Sequence, residues 1–115
     1  MSLYALGTTA DKPRAEIVRL CRQHSTESVQ ELSARLGSGE ILVEWSSKFT
    51  ADRDEGAVIA SIEGAVAAFE ALGIPLTYFH RVTVEQPWRK VEQRIFKNLL
   101  QSDLKTWHSI LNHPD

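Results

Sequence analysis

The sequence predicts an α/β (α+β) domain, built as a two-layer sandwich with a small three-stranded sheet. Two apolar segments have the character of strands: Ile41–Trp45 is a short continuous run, and residues 76–84 alternate between apolar and polar side chains. Between them, residues 56–72 form an alanine-rich apolar segment, typical of a helix that is packed over most of its circumference. The predicted order is β-α-α-β-α-β-α with a C-terminal helical region, within a single domain spanning residues 1–115.

The first part of the chain predicts one strand and two helices. Residues 3–6 are a short apolar run, which is typical of an edge strand. Apolar side chains at helical spacing over residues 17–21 then indicate a first helix. A second helix is expected to be capped by residue 25 or 26, and Ser28 and Glu31 have the separation of a capping box.

The last part of the chain predicts one strand and a long helical region. Alternation over residues 76–84 places Tyr78 and His80 on the same face of the strand. If this strand lies adjacent and parallel to Ile41–Trp45, the helix between them makes a right-handed crossover. Pro87 is expected to open the final helical region, and the apolar stripe of that region consists of Trp88, Val91, Ile95 and Leu99.

Composition excludes several classes of protein. Thirteen Lys and Arg against fifteen Asp and Glu give a formal net charge of −2, which is not that of a general polyanion binder. The single cysteine excludes an internal disulfide framework and a cysteine-based zinc site. Residues 1–10 lack the pattern of a secretory signal, and no run approaches the ~20 apolar residues that cross a bilayer. A cytoplasmic location without a membrane partner is therefore expected.

The sequence contains no group of residues typical of a catalytic, cofactor-binding or metal-binding site, so a non-enzyme is favoured. Cys21 lies among apolar residues and is expected to be a buried, inert thiol. His80 is expected to be a partly buried, hydrogen-bonded side chain rather than a metal ligand. Gly37 and Gly39 precede a strand, whereas phosphate-binding loops precede a helix, so they are interpreted as the end of the second helix.

A pattern over residues 14–37 resembles the first two helices of DeoR-type winged-helix regulators. The matching residues are Arg14, Ile17, Val18, His24, Ser28, Val29, Glu31, Leu32, Ala34, Arg35, Leu36 and Gly37. The resemblance implies binding of DNA, with a recognition helix directly after the second helix. In this chain Ile41–Trp45 follows instead, and Glu27 occupies a position that is usually apolar.

A second pattern, over residues 41–79, is similar in order and spacing to the barstar family of ribonuclease inhibitors. It consists of Leu42, Val43, Glu44, Trp45 and Phe49, then Gly56 and Ala57 opening an apolar helix, then Gly73 and a strand. The inhibitory helix of that family carries acidic residues within a Tyr-Gly-x-Asn pattern. This chain lacks that pattern, so no inhibitory residue can be assigned.

Charge is unevenly distributed along the chain. Residues 40–73 contain seven acidic and two basic side chains, with Asp52, Asp54 and Glu55 close together, whereas residues 74–115 contain six basic and four acidic ones. This pattern predicts solvated faces, or a basic site for an acidic partner, or pairing of the acidic and basic regions between copies of the chain.

The function that the sequence favours is a non-catalytic protein-interaction domain, such as an adaptor, an inhibitor or a small subunit. The C-terminal region carries more large apolar side chains than one helix needs to cover a three-stranded sheet. The expected partner is another protein or a second copy of the chain. The predicted partner-binding residues are Trp88, Arg89, Arg94, Lys97, Trp107, Ile110 and Leu111.

Two alternatives remain open. A DNA-binding transcriptional regulator with a helix-turn-helix-like N-terminal half would use Arg19, Arg22 and Arg35. A small-molecule site would need a pocket near Tyr78 and His80 on the sheet.

Overall fold

The computed structural model describes residues 2–24, 27–45 and 55–112, and only the backbone of Glu55, Leu111 and Asn112. These residues confirm the α+β class, with four helices and a four-stranded antiparallel sheet. The strands are β1 (Leu3–Gly7), β2 (Ile41–Trp45), β3 (Thr77–Arg81) and β4 (Arg89–Val91). The helices are α1 (Arg14–Arg22), α2 (Val29–Arg35), α3 (Glu55–Ala71) and α4 (Gln93–Asn112). Residues 25 and 26, expected as helix caps, and the acidic residues Asp52 and Asp54 lie outside the described ranges.

The sheet has the order β2-β1-β3-β4, and each neighbouring pair is antiparallel. The prediction of β1 as an edge strand is wrong, because β1 lies between β2 and β3 and all five of its residues are buried. Since β2 and β3 are both antiparallel to β1, they are parallel to each other but not adjacent. The helix α3 therefore connects two strands that are separated by the N-terminal strand.

The prediction of a three-stranded sheet is also wrong, because Arg89–Val91 forms a strand instead of the first turn of the last helix. This segment pairs with β3 in the register His80↔Arg89 and Tyr78↔Val91. The predicted strand over residues 76–84 is correspondingly shorter and ends at Arg81. Arg81 closes the turn that follows, because its Nη1 donates to the carbonyls of Val84 and Gln86, both at 3.2 Å.

The larger core cluster lies between the sheet, α3 and α4. Tyr4, Leu6 and Tyr78 share one face of the sheet and pack against Ile62 of α3 and Phe96 of α4. The ring of Phe96 meets Tyr4 edge-on at 5.3 Å and Tyr78 at a tilted 4.9 Å between centroids. Such aromatic pairs stabilise the fold beyond the area that they bury.

A second core cluster joins α1 and α2 to β2. Its buried residues include Ile17, Cys21, Leu32, Leu42 and Val43. Adjacent strand residues normally point to opposite faces, but the register shifts between Leu6 and Gly7, so β2 has one extra residue there. A bulge of this kind re-aims a side chain, which explains why both Leu42 and Val43 are buried.

Local signals for helix ends are confirmed where the structure describes them. Ser28 is the N-cap of α2, and its Oγ accepts a hydrogen bond from the backbone N–H of Glu31 at 3.1 Å. Gly37 and Gly39 have φ values of +82° and +77° in the turn between α2 and β2. Only glycine adopts this conformation without strain, so the two glycines end the helix as predicted.

Candidate interaction surfaces

The apolar stripe of α4 begins inside the core and ends outside it. Phe96 and Leu100 are 0% and 2% exposed, Leu104 and Trp107 are half-buried, and Ile110 is 52% exposed. The apolar stripe therefore extends beyond the part of α4 that is buried in the core. We call this continuation the α4 surface, and its members are Trp107 and Ile110. The side chain of Leu111 lies outside the described part of the chain.

A hydrogen-bonded carboxylate fixes the position of α4 just before this surface. The hydroxyl of Tyr4 donates to Oδ2 of Asp103, and the backbone N–H of Ser2 donates to the same oxygen at 3.3 Å. Tyr4 belongs to the central strand and is buried. Asp103 is one residue before Leu104 and four before Trp107, so this contact holds the start of the α4 surface against β1.

Trp88, predicted to bind a partner together with the α4 surface, lies on the other face of the sheet. The guanidinium carbon of Arg81 sits over the Trp88 ring, 4.1 Å from its centroid. Arg81 and His80 are consecutive residues of β3, so their side chains point to opposite faces of the sheet. His80 contacts Tyr4 on the face that α4 covers. Trp88 therefore packs against the β3–β4 hairpin, and the structure does not bring it together with Trp107.

The basic residues of the predicted surface are also dispersed. Arg89 is paired with His80 in the strand register, and Arg94 is exposed on the first turn of α4. Lys97 lies 3.5 Å from Oε1 of Glu70, which also accepts a 2.6 Å hydrogen bond from Gln93. The acidic middle region and the basic C-terminal helix thus pair within one copy of the chain at this contact.

Two of the three predicted DNA-binding arginines share a groove between α1 and α2. The groove has a volume of ≈550 Å³, and Arg19 and Arg22 line it together with Arg14, Val18 and Val29. Sequence reasoning missed Arg14 and Val29 as groove residues. The spacing of Ala15, Val18 and Arg22, at i, i+3 and i+7, places these three residues on one side of α1. This spacing is the sequence signal for the α1 side of the groove.

Arg35 does not belong to this groove. Its Nη2 lies 3.6 Å from Oε2 of Glu27, and its Nη1 donates to the carbonyl of Ile41 at 3.5 Å. The chain passes from α2 to β2 through a turn, so no recognition helix follows α2 within residues 36–45.

A cleft of ≈880 Å³ adjoins Tyr78, one of the two residues near which a small-molecule site would need a pocket. Tyr78, Glu70, Lys90 and Gln93 are among its lining residues, and His80 is not. His80 instead stacks at a tilt on Tyr4, and its Nε2 has no hydrogen-bond partner among the described residues. Desolvation lowers the pKa of His80, opposed by the charge of Asp103 and assisted by that of Arg89.

A polar contact that the sequence did not suggest joins β2 and α3 to the turn that follows α1. The Nε1–H of Trp45 donates to Oγ of Ser61 at 3.2 Å, and Nδ1 of His24 lies 3.1 Å from the same oxygen. A serine beside a histidine is half of a nucleophilic device, but within the described residues no carboxylate hydrogen-bonds to His24. Because Ser61 also accepts from the indole, the contact acts as a structural link. Its members are too far apart in the sequence to form a motif.

Titratable groups outside these surfaces do not assemble into a reactive centre in the described ranges. No three His, Cys, Asp or Glu side chains there lie close enough to hold a metal ion. Cys21 is fully buried, and desolvation raises its pKa to about 11, which keeps the thiol protonated.

Comparisons with protein families, with curated proteins and with solved structures find no match to this chain. Among the described residues, no helix combines the length and apolar character needed to span a bilayer. The interpretation of function therefore depends on the surfaces themselves.

Proposed function

We propose that this chain is a non-catalytic protein-interaction domain, an adaptor, an inhibitor or a small subunit, that binds its partner through the α4 surface. The observation that carries this proposal is the gradient of burial along α4, from 0% exposure at Phe96 to 52% at Ile110. A stripe that continues beyond its own core is available to cover another molecule.

The chemistry of the α4 surface suits a protein partner. Tryptophan is enriched among the few interface residues that contribute most of the binding energy, and Trp107 is half-buried, so part of its ring is free to contact another molecule. Burial of apolar area contributes about 25 cal/mol per Å², so covering Trp107 and Ile110 stabilises a complex. The occupant tested first is a second copy of the chain, because two identical helix ends can pair symmetrically. A single buried thiol is compatible with a cytoplasmic location, which is part of this proposal.

Self-association provides the test. We expect the sedimentation-derived mass of the wild-type chain to rise with concentration and that of Trp107→Glu to stay monomeric, with cooperative unfolding retained. Ile110→Glu is expected to act in the same way. Ile95→Glu is the matched control, because Ile95 is 41% exposed on the same helix and lies roughly 22 Å from Ile110 along its axis.

Two results contradict the proposal. If Trp107→Glu unfolds the chain, Trp107 is part of the core. If Ile110→Glu and Ile95→Glu behave alike, the α4 surface is not an interface. A wild-type chain that is monomeric at every concentration points to a different protein, and crosslinking in a native extract should then give a product that Ile110→Glu lacks.

The alternative function, a DNA-binding regulator acting through Arg19, Arg22 and Arg35, is supported by the shared groove of Arg19 and Arg22. Tryptophan fluorescence during titration with mixed-sequence duplex DNA tests it at low and moderate salt. Saturable, salt-sensitive binding that Arg22→Gln weakens favours the regulator, and no binding at low salt excludes it.

A further inference from the structure

The groove between α1 and α2 has an apolar floor and basic walls. Val18, which is 7% exposed, forms part of its floor, and Val29 at the start of α2 is 48% exposed and also lines the groove. Ala15, Val18 and Arg22 occupy one side of α1, and Val29 and Ser33 occupy the facing side of α2. The lining of this groove between two helices therefore combines apolar and cationic groups.

The cations of this groove are not neutralised within the described residues. Arg14 donates from Nη2 to the carbonyl of Ser33 at 3.0 Å, which fixes its guanidinium at the groove wall and leaves its charge uncompensated. Neither Arg19 nor Arg22 forms an ion pair with a carboxylate of the described ranges. Three guanidinium groups thus surround an apolar floor.

We propose that the α1–α2 groove binds an acidic amphipathic helix of another protein. Helices bind in grooves through apolar side chains at i, i+3, i+4 and i+7, and Val18 and Val29 offer apolar contacts to such a stripe. Guanidinium groups form short, strong hydrogen bonds with carboxylates, so glutamates flanking that apolar stripe would contact Arg19 and Arg22. This inference uses different helices from the α4 surface and does not depend on it.

The groove favours a peptide over a nucleic acid. The phosphates of a nucleic acid are charged and offer no apolar surface to the exposed Val29, whereas an amphipathic helix does. Glu27 and Glu31 stand on the N-terminal side of α2 outside the groove lining, and the carboxyl of Glu31 has a raised pKa because of its hydrogen bond with Glu27 and the charge of Glu27. A broad polyanion would meet these carboxylates, whereas a single helix confined to the groove does not.

Fluorescence anisotropy with the full chain tests the proposal. The probe is a fluorescein-labelled helical peptide with a leucine stripe flanked by glutamates, and a scrambled peptide of the same composition is its control. We expect saturable binding of the probe, weakened roughly ten-fold by Arg22→Gln and by Val29→Gln. The matched controls Lys105→Gln and Val84→Gln, both at exposed positions, should leave the affinity unchanged.

A second measurement changes the peptide probe and uses the wild-type protein. Replacing the glutamates of the probe by glutamine should weaken binding at least as strongly as Arg22→Gln, so a folding defect in a variant cannot imitate the result. Equal binding of the scrambled peptide, or no effect of Val29→Gln, overturns the proposal in favour of general charge attraction. Duplex DNA that binds the chain and is weakened by Arg22→Gln but not by Val29→Gln overturns it in favour of a nucleic-acid interface.

Discussion

The bond between Tyr4 and Asp103 makes a quantitative prediction about how α4 is held on the sheet. Tyr4→Phe removes one hydroxyl and keeps the buried ring, including its contacts with Phe96 at 5.3 Å and His80 at 5.4 Å. The apolar burial of the position is therefore nearly unchanged. What is lost is a hydrogen bond to a carboxylate that joins the central strand to the last helix.

The expected cost follows from the type of bond. A hydrogen bond to a charged group contributes about 1.5–3 kcal/mol, and Asp103 keeps only the Ser2 N–H as a described donor after the change. We expect the free energy of unfolding to fall by about 2 kcal/mol in urea denaturation. For a domain of this size the corresponding decrease in Tm is roughly 10 °C.

A double-mutant cycle with Asp103→Ala, which removes both acceptor oxygens, separates the bond from other effects of each substitution. If the two residues stabilise the chain through each other, the double variant is less destabilised than the sum of the single ones by about 1–2 kcal/mol. A Tyr4→Phe variant as stable as wild type, or a cycle with no coupling, would show that α4 is not anchored by this contact.

Two further predictions concern local stability and pH. Ser28→Ala should destabilise the chain by about 1 kcal/mol through loss of the α2 cap, while Ser33→Ala in the same helix should not; equal effects would refute the capping role. Burial lowers the pKa values of His24 and His80 below 6.5 in the folded chain, so the unfolded chain binds more protons as the pH falls. The contribution of these two histidines to stability should therefore be complete above pH 6.5 and decrease as the pH falls below 6.5, with a smaller slope in His80→Gln; a flat profile contradicts this.

Elements with local signals were predictable from the sequence. The apolar run of β2, the alanine-rich α3 and the capping serine of α2 depend on residues a few positions apart, and the structure confirms each of them. The central position of β1 depends on pairing with residues about 40 and 75 positions away, which no local pattern encodes. Its apolar side chains on both faces fit a central strand, but the run is short enough to suit an edge strand as well.

The prediction of where α4 begins is wrong for a different reason. Trp88, Val91 and Ile95 are spaced at i, i+3 and i+7, which fits a helix as well as it fits a strand followed by a helix. The pairing of Arg89–Val91 with β3 decides between the two, and that pairing depends on the turn closed by Arg81. Tertiary hydrogen bonds therefore outweighed a local pattern that was itself ambiguous.

The candidate surfaces were predictable to different degrees. The α4 surface extends one helical stripe, so Trp107 and Ile110 could be selected from spacing alone. The groove requires α1 and α2 to lie side by side, and only that packing places Val29 beside Arg19 and Arg22. Its chemistry therefore emerges from two helices that each look like an ordinary amphipathic segment.

The division of the core explains how one small fold can present two independent surfaces. The α4 surface extends from the cluster that contains Phe96 and Leu100, whereas the groove belongs to helices of the cluster that contains Ile17 and Leu32. Side chains at the boundary, such as Trp45, pack against both clusters. Because α3 contributes to each cluster, both helix pairs are held against the same central layer. Among the described residues, the exposed end of α4 and the groove of Arg19 and Arg22 are connected only through this shared layer, and we expect binding at the two surfaces to be separable.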